Sequence, residues 1–194
     1  MIAGNQGYEE EAAELLKRYE AMPFEAAHPG PLDPIPPPCI RVLDIGAGTG
    51  RDAAWFAARG DEVTAIEPTR AMREGAMKLH PAHNITWIDD GLPTLASVRG
   101  REFDLIWMSA VWMHFDAAER ARMMPIVAAL MTRGGVLMMS LRHGPVPEGR
   151  RMFEVTPEET KALAAADGLS CVQTHYAESS HAAGVFWDRL WFKR

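Results

Sequence analysis

The sequence predicts an α/β protein built on a doubly wound, seven-stranded sheet, mostly parallel, with an antiparallel C-terminal hairpin and helices on both faces. Three observations predict it. From residue 40 onward, short β-rich apolar runs alternate with helical segments, the order produced by strand–helix–strand crossovers. The first run, Val42-Leu43-Asp44-Ile45, passes straight into the glycine-rich turn Gly46-Ala47-Gly48-Thr49-Gly50, with a helical segment immediately after it. The last two runs are joined only by residues 177–183, too few for a crossover, so they must pair antiparallel.

Residues 8–22 read as a helix, because Ala12, Leu15, Leu16, Tyr19 and Met22 share one face and Pro23 ends it. Half of the chain's prolines lie between Pro23 and Pro38; this stretch cannot make a regular ladder and reads as an extended connector. Strands follow at 40–45, 62–67, 85–88, 103–109, 136–141, 170–175 and 185–192. Helices fill 52–59, 69–79, 117–131 and 157–167, with a short turn at 94–98. Thr156, Pro157 and Glu159 supply an N-cap hydroxyl, a proline at N1 and a carboxylate at N3, and Gly168 suits the C-terminal stop. Asp116 and Glu119 make a similar start. Pro125 inside the third of these helices costs roughly 3 kcal/mol unless a bend absorbs it, so a bend is expected there.

A length of 194 residues, against about 150 for a typical domain, predicts one domain, 1–194: residues 1–38 are the N-terminal helix and connector, 39–194 the core. With 47% hydrophobic and 24% charged residues, the chain has the composition of a folded interior and not of disorder. Twenty Lys and Arg against 26 Asp and Glu leave a net charge of −6, which disfavours nucleic acid and anionic membranes as partners. Cys39 and Cys171 are far apart and lack metal-ligand spacing, as expected of a reducing cytoplasm. No apolar run approaches the ~20 residues of a membrane span, and Glu9, Glu10 and Glu11 stand where a signal peptide would be apolar. A soluble, unexported, cytoplasmic protein is expected. His80, His83, His175 and His181 have no metal-ligand spacing with Cys, Asp or Glu, so no metal is expected.

A glycine-rich loop alone is a weak signal, since many such strings are only tight turns. Its place between strand and helix allows a ligand close to the backbone. The second strand ends at Glu67, where a carboxylate can accept from both hydroxyls of a ribose, although a solvated strand-end acid is the plainer alternative. A dinucleotide fingerprint needs its third glycine at position 51, which is Arg51; the loop instead reads Gly46-x-Gly48-x-Gly50. In this it resembles the class I S-adenosylmethionine-dependent methyltransferases, which have a Rossmann-like fold, and the resemblance spans residues 40–194.

That resemblance implies S-adenosylmethionine as cofactor and S-adenosylhomocysteine as product. It makes Gly46, Ala47, Gly48 and Gly50 the cradle for the methionine part, with Asp44 orienting the loop and Glu67, followed by Pro68, clamping the ribose. In Asp89-Asp90-Gly91-Leu92-Pro93, one aspartate should meet the adenine amino group; Asp89 is favoured and Asp90 kept. The backbone at Ser109 and Ala110 should border the cofactor. Gly134-Gly135 looks like the paired-glycine turn by which the family often enters its fifth strand. The runs Ser109-Ala110-Val111-Trp112-Met113-His114 and Leu141-Arg142-His143-Gly144-Pro145 are similar to bacterial methyltransferases of unassigned substrate.

His114, just past the fourth strand, is the candidate base, the alternative being a histidine that bonds local backbone. Arg142 and His143 sit on the edge where open α/β sheets place ligands; they could hold an anionic substrate group or form surface ion pairs. Trp107, Met108, Trp112 and Met113 form an apolar cluster, either pocket or core, with Trp112 best placed for a substrate. Tyr8 and its helix could close as a lid or simply dock. The leading function is methyl transfer to a small molecule by in-line displacement, since the charge and the lack of an Asn-Pro-Pro-Tyr-type string argue against macromolecular acceptors. The alternatives are a non-catalytic S-adenosylmethionine-binding module and, with less support, an NAD(P)-dependent oxidoreductase. The oligomeric state is left open.

Overall fold

A computed structural model describes residues 4–81, 84–179 and 182–194. Its strands are β1 Arg41–Ile45, β2 Glu62–Ile66, β3 Ile85–Ile88, β4 Phe103–Ser109, β5 Met131–His143, β6 Ser170–Glu178 and β7 Phe186–Lys193. They form one sheet in the order β3-β2-β1-β4-β5-β7-β6. The first five strands are parallel, and β7 runs antiparallel to β5 and β6. The helices are α1 Tyr8–Glu20, α2 Phe24–Ala27, α3 Arg51–Ala58, α4 Arg70–Leu79, α5 Ala117–Ala129 and α6 Pro157–Ala166. Strand order reverses between β1 and β4, and the crevice beyond their C-terminal ends is where such sheets take ligands.

Both sheet faces are buried, so the central strands are apolar almost throughout and successive residues serve opposite layers. Leu43, Ile45, Ile106, Met108, Leu137 and Met139 pack with Met123, Met124 and Val127 of α5. Val42, Val63, Leu105, Trp107 and Met138 pack with Ala53 and Phe56 of α3 on the other face. The expected cluster of tryptophans and methionines is thereby divided. Trp107 belongs to the α3 layer, while Met108, Trp112 and Met113 belong to the α5 layer.

The helix starts follow the sequence chemistry. Asp116 accepts from the Glu119 amide and Glu119 from the Asp116 amide, each at 2.8 Å, and Thr156 Oγ1 accepts from the Glu159 amide at 3.1 Å. Helix α5 runs unbroken through Pro125. Pro125 lies on the exposed face with Ala121, where the carbonyl it frees can be hydrated.

Two expectations need correction. The connector is not wholly extended: Phe24–Ala27 forms α2, because Phe24 is 3% exposed and stacks on Trp55 at 3.9 Å. Burial of an aromatic anchor outweighs the prolines around it. The glycine pair Gly134-Gly135 does not precede β5 but lies inside it. Met131 pairs with Phe103 and Val136 with Leu105, so β5 bulges there, and glycines fit such a bulge.

Replacing Phe24 with Ala removes this anchor and is expected to cost about 3–5 kcal/mol, read from urea unfolding. A loss below about 1 kcal/mol would show that the connector is not held through Phe24.

Candidate active site

The turn after β1 lies against the turn after β2. Gly46 and Ala47 donate to the Ile66 carbonyl at 2.8 and 3.0 Å. Gly48 donates to Glu67 Oε2 at 2.8 Å, and the Thr69 amide donates to Glu67 Oε1 at 2.7 Å. Glu67 is 6% exposed; burial pushes its carboxyl up, and these amides work against that shift. Gly46 has φ 73, and a Cβ there would stand 2.7 Å from Val111 Cγ2. Gly48 has φ 57, yet its absent Cβ would meet nothing nearer than 3.9 Å, so the loop keeps open space above its backbone. Asp44 is buried at the end of β1 with Oδ2 unpaired, and burial followed by the charge of Asp52 raises its carboxyl well above the ordinary range.

The two neighbouring aspartates do different things. Asp90 is spent locally: Oδ1 accepts from the Gly91 amide, and Oδ2 from the Ser97 amide and hydroxyl. Asp89 remains outward, its side chain 65% exposed and bonded to Arg73 at 2.8 Å. Arg73 also donates to the Glu67 carbonyl at 2.6 Å, tying the ends of β2 and β3. Ser109 ends β4, and Ala110 has φ 58, an uncommon value for a residue with a Cβ. The Ala110 amide donates to Ser140 Oγ at 2.9 Å, and the chain turns there into a 3-10 segment, Trp112–His114, that was not foreseen.

His114 joins this turn to the N-terminal helix. Its Nδ1 lies 2.8 Å from the Arg151 carbonyl and its Nε2 3.2 Å from the Tyr8 hydroxyl. Only an N–H can bond a carbonyl, so Nδ1 carries the proton and Nε2 accepts from Tyr8; this tautomer is assigned from the network. Burial lowers the imidazole's affinity for a second proton. Burial and then Tyr19 raise the Tyr8 phenol well above its usual range, so it stays a donor. Arg150 lies over the Tyr8 ring at 4.1 Å and pairs with Glu11 at 2.8 Å. On its other side α1 packs Ala12 and Leu15 against Met72 of α4, and Glu9 accepts from the Ala71 amide at 3.2 Å.

Trp112 is fully buried in the α5 layer, with its indole N–H unpaired among the described residues. His143 stacks on Phe186 at 4.6 Å and lies 3.0 Å from Asp188 Oδ2, off the line of a hydrogen bond. Arg142 is partly exposed and donates to the Pro145 carbonyl at 2.9 Å. Among the described residues no group of three His, Cys, Asp or Glu is placed to hold a metal; His83 and His181 lie outside them. Within the same residues no helix is long and apolar enough to cross a membrane.

One buried group went unnoticed in the sequence. Asp52, in the first turn of α3, accepts from His28 at 2.8 Å, Trp107 at 2.9 Å and Arg51 at 2.7 Å. Burial alone would raise its carboxyl, but His28 and Arg51 overcome this and hold it far below the carboxylate range. His28 comes from the proline-rich connector, and nothing local marks it as a partner for residue 52. Arg150 and Arg151 are equally hidden, since their partners at Glu11 and His114 are remote in sequence.

Residues 42–135 match the methyltransferase-domain family. A malonyl-[acyl-carrier protein] O-methyltransferase from Salmonella typhimurium is 29% identical over 122 residues, 62% of this chain and 47% of that enzyme, so the match spans about half of the relative's length. Among solved structures, magnesium protoporphyrin IX methyltransferase from Synechocystis with bound S-adenosylmethionine has a TM-score of 0.67 at 18% identity, covering 97% of this chain and 80% of that one. The 1,6-didemethyltoxoflavin-N1-methyltransferase of Burkholderia thailandensis, with bound 1,6-didemethyltoxoflavin and S-adenosylhomocysteine, scores 0.67 at 18% identity, covering 97% and 78%. Residues 42–135 thus resemble the methyltransferase-domain family, and the whole sheet has the Rossmann-like topology of these solved structures.

As a donor to Nε2, Tyr8 bonds the neutral imidazole; a protonated Nε2 would have to donate to the Tyr8 oxygen instead, with the Arg150 charge nearby opposing it. His114 is expected to titrate below 6.5, the ordinary value, and Tyr8→Phe to move it upward, read from imidazole carbon shifts by NMR. As pH falls from about 6.5 through the folded value, the unfolded chain takes the proton first, so His114 should withdraw stability in that window. A wild-type value at or above 6.5, unmoved by Tyr8→Phe, would break this account.

Proposed function

We propose that the protein is an S-adenosylmethionine-dependent methyltransferase acting on a small-molecule acceptor. The observation that carries the reading is the bond from the Gly48 amide to Glu67, which sets an open glycine turn beside a buried carboxylate within a methyltransferase domain. The residues fit the cofactor: the unpaired Asp44 oxygen lies at the glycine loop, and Gly48 leaves room over its backbone. Glu67 retains lone pairs for ribose hydroxyls. Asp89 is the adenine-facing acid of this reading, because Asp90 is consumed by its own turn.

When bound, S-adenosylmethionine supplies an electrophilic methyl group for in-line displacement. The protein's own task is mainly to hold two reactants in line, which can be worth roughly 7–11 kcal/mol. Gly46, Ala47, Gly48 and Gly50 form the cradle, with Pro68, Gly91, Ser109 and Ala110 along its border. His114 presents Nε2 as a neutral acceptor, the state a base needs for an alcohol or ammonium acceptor. Tyr8 occupies that lone pair in the closed arrangement, so α1 serves as a lid whose movement frees the base. The low count and wide separation of Cys39 and Cys171 along the sequence favour a reducing cytoplasmic setting for this reading.

Calorimetry with S-adenosylmethionine and with NAD tests the reading; binding of NAD alone would overturn it. Glu67→Ala removes charge-assisted bonds of about 1.5–3 kcal/mol and should weaken cofactor binding ten- to a hundredfold. Unchanged affinity takes Glu67 out of the site. His114→Ala should keep cofactor binding while slowing labelled-methyl transfer, with the loss shrinking as pH rises. Equal rates across pH would leave His114 a positioning residue, and tight binding without transfer to any acceptor would favour a non-catalytic module.

A further inference from the structure

At the C-terminal end of β5 lies a cavity of about 300 Å3 bordered by Arg142, His143, Val146, Met152, Phe153, Glu154 and Phe186. That volume is at the lower end for small-molecule sites, about 300–1,000 Å3. The segment that walls it also holds the candidate base. Phe153 donates to the Met113 carbonyl at 2.8 Å, and the Arg151 carbonyl accepts from His114. The cavity wall is thus tied to the turn that carries His114.

Its charge is unusual for this edge. Arg73 pairs with Asp89, Arg150 with Glu11 and Arg151 with Glu119, each at 2.8 Å. Arg142 has no carboxylate partner among the described residues; its single bond goes to the Pro145 carbonyl. Partial burial lowers its proton affinity, opposed by Tyr19 and then Tyr8. A guanidinium taken from water without a counter-charge is costly, and a carboxylate matches its planar fork. His143 adds no free cation, being held between Asp188 and Phe186. With Glu154 on the border, the cavity has one available positive charge at most, which suits a monoanion better than a phosphate dianion. Val146, Met152, Phe153 and Phe186 supply apolar side chains to the rest of the lining, and Val146 and Phe153 stay 52% and 38% exposed.

We propose that this cavity binds a small carboxylate with a flat or branched apolar body, its anionic end on Arg142 and its body against Phe153, Phe186 and Val146. The proposal rests on the methyl-transfer reading for its meaning, since it makes the cavity the acceptor's recognition site, but not for its test. The test is an NMR titration of the full chain with benzoate and with neutral, isosteric benzamide, with and without saturating S-adenosylhomocysteine, following the Met152 methyl signal assigned through Met152→Leu.

Benzoate is expected to bind about tenfold or more tightly than benzamide. Arg142→Gln should abolish that preference with S-adenosylhomocysteine affinity unchanged, and Arg142→Lys should keep part of it. Glu154→Gln, which removes a like charge, should tighten benzoate binding and stands as an independent check should Arg142→Gln fold poorly. Equal binding of the two probes, an unaltered preference in Arg142→Gln, or a Met152 signal indifferent to benzoate overturns the proposal. If the preference holds but the wild type does not bind S-adenosylhomocysteine, the anion site stands and the methyltransferase reading falls.

Discussion

The site depends on Glu67, a buried carboxylate whose two oxygens are shared between two turns. One oxygen takes the Gly48 amide and the other the Thr69 amide, so the turns after β1 and β2 hold each other in place. A carboxylate in this position is costly to bury, and burial does push its proton affinity up. The cost is offset by amides that would otherwise be unsatisfied in the same crevice. Only one arrangement of the glycine turn satisfies both partners, which gives a flexible sequence a defined backbone. Arg73 extends the constraint by linking the Glu67 carbonyl to Asp89, so the ends of three strands are joined.

The N-terminal residues complete this edge from two sides. Tyr8 reaches His114 over the top of the crevice, while His28 reaches Asp52 beneath the glycine turn. The second contact is the more deeply buried. It places an ionised acid next to Asp44 and makes Asp44 harder to ionise. The first contact joins α1 to a turn that begins with the positive φ of Ala110, and Arg150 backs it by lying over the Tyr8 ring and pairing with Glu11. The proposed lid thus has a hinge side set in the core by Phe24 and His28 and a latch at Tyr8.

Much of the fold was legible because it rests on local signals. Strands β3 and β4 fall at the expected residues, and the cap pairs Asp116 with Glu119 and Thr156 with Glu159 form as read. The two-residue period could not reveal that Trp107 and Trp112 serve opposite layers once the chain left β4 through an unforeseen 3-10 turn. Likewise the prolines of the connector concealed α2, whose existence comes from Phe24 stacking on Trp55, a contact outside any local window. In the site, the glycine turn, Glu67 and Asp89 were visible as a motif, whereas Arg150, Arg151, His28 and Asp52 had no motif to announce them.

Alternating apolar runs, a glycine-rich turn and a short final link were enough to determine an open parallel sheet closed by a hairpin, because hydrophobic period and chain length leave few other topologies. What only the tertiary structure decided is which charges find partners. Asp89 stays outward where Asp90 folds back on its own turn, His114 is held as the Nδ1–H tautomer, and Arg142 finds no acid among the described residues. These outcomes depend on distances between groups remote along the chain, and Coulomb and hydrogen-bond energies vary with those distances and with burial, neither of which residue order specifies.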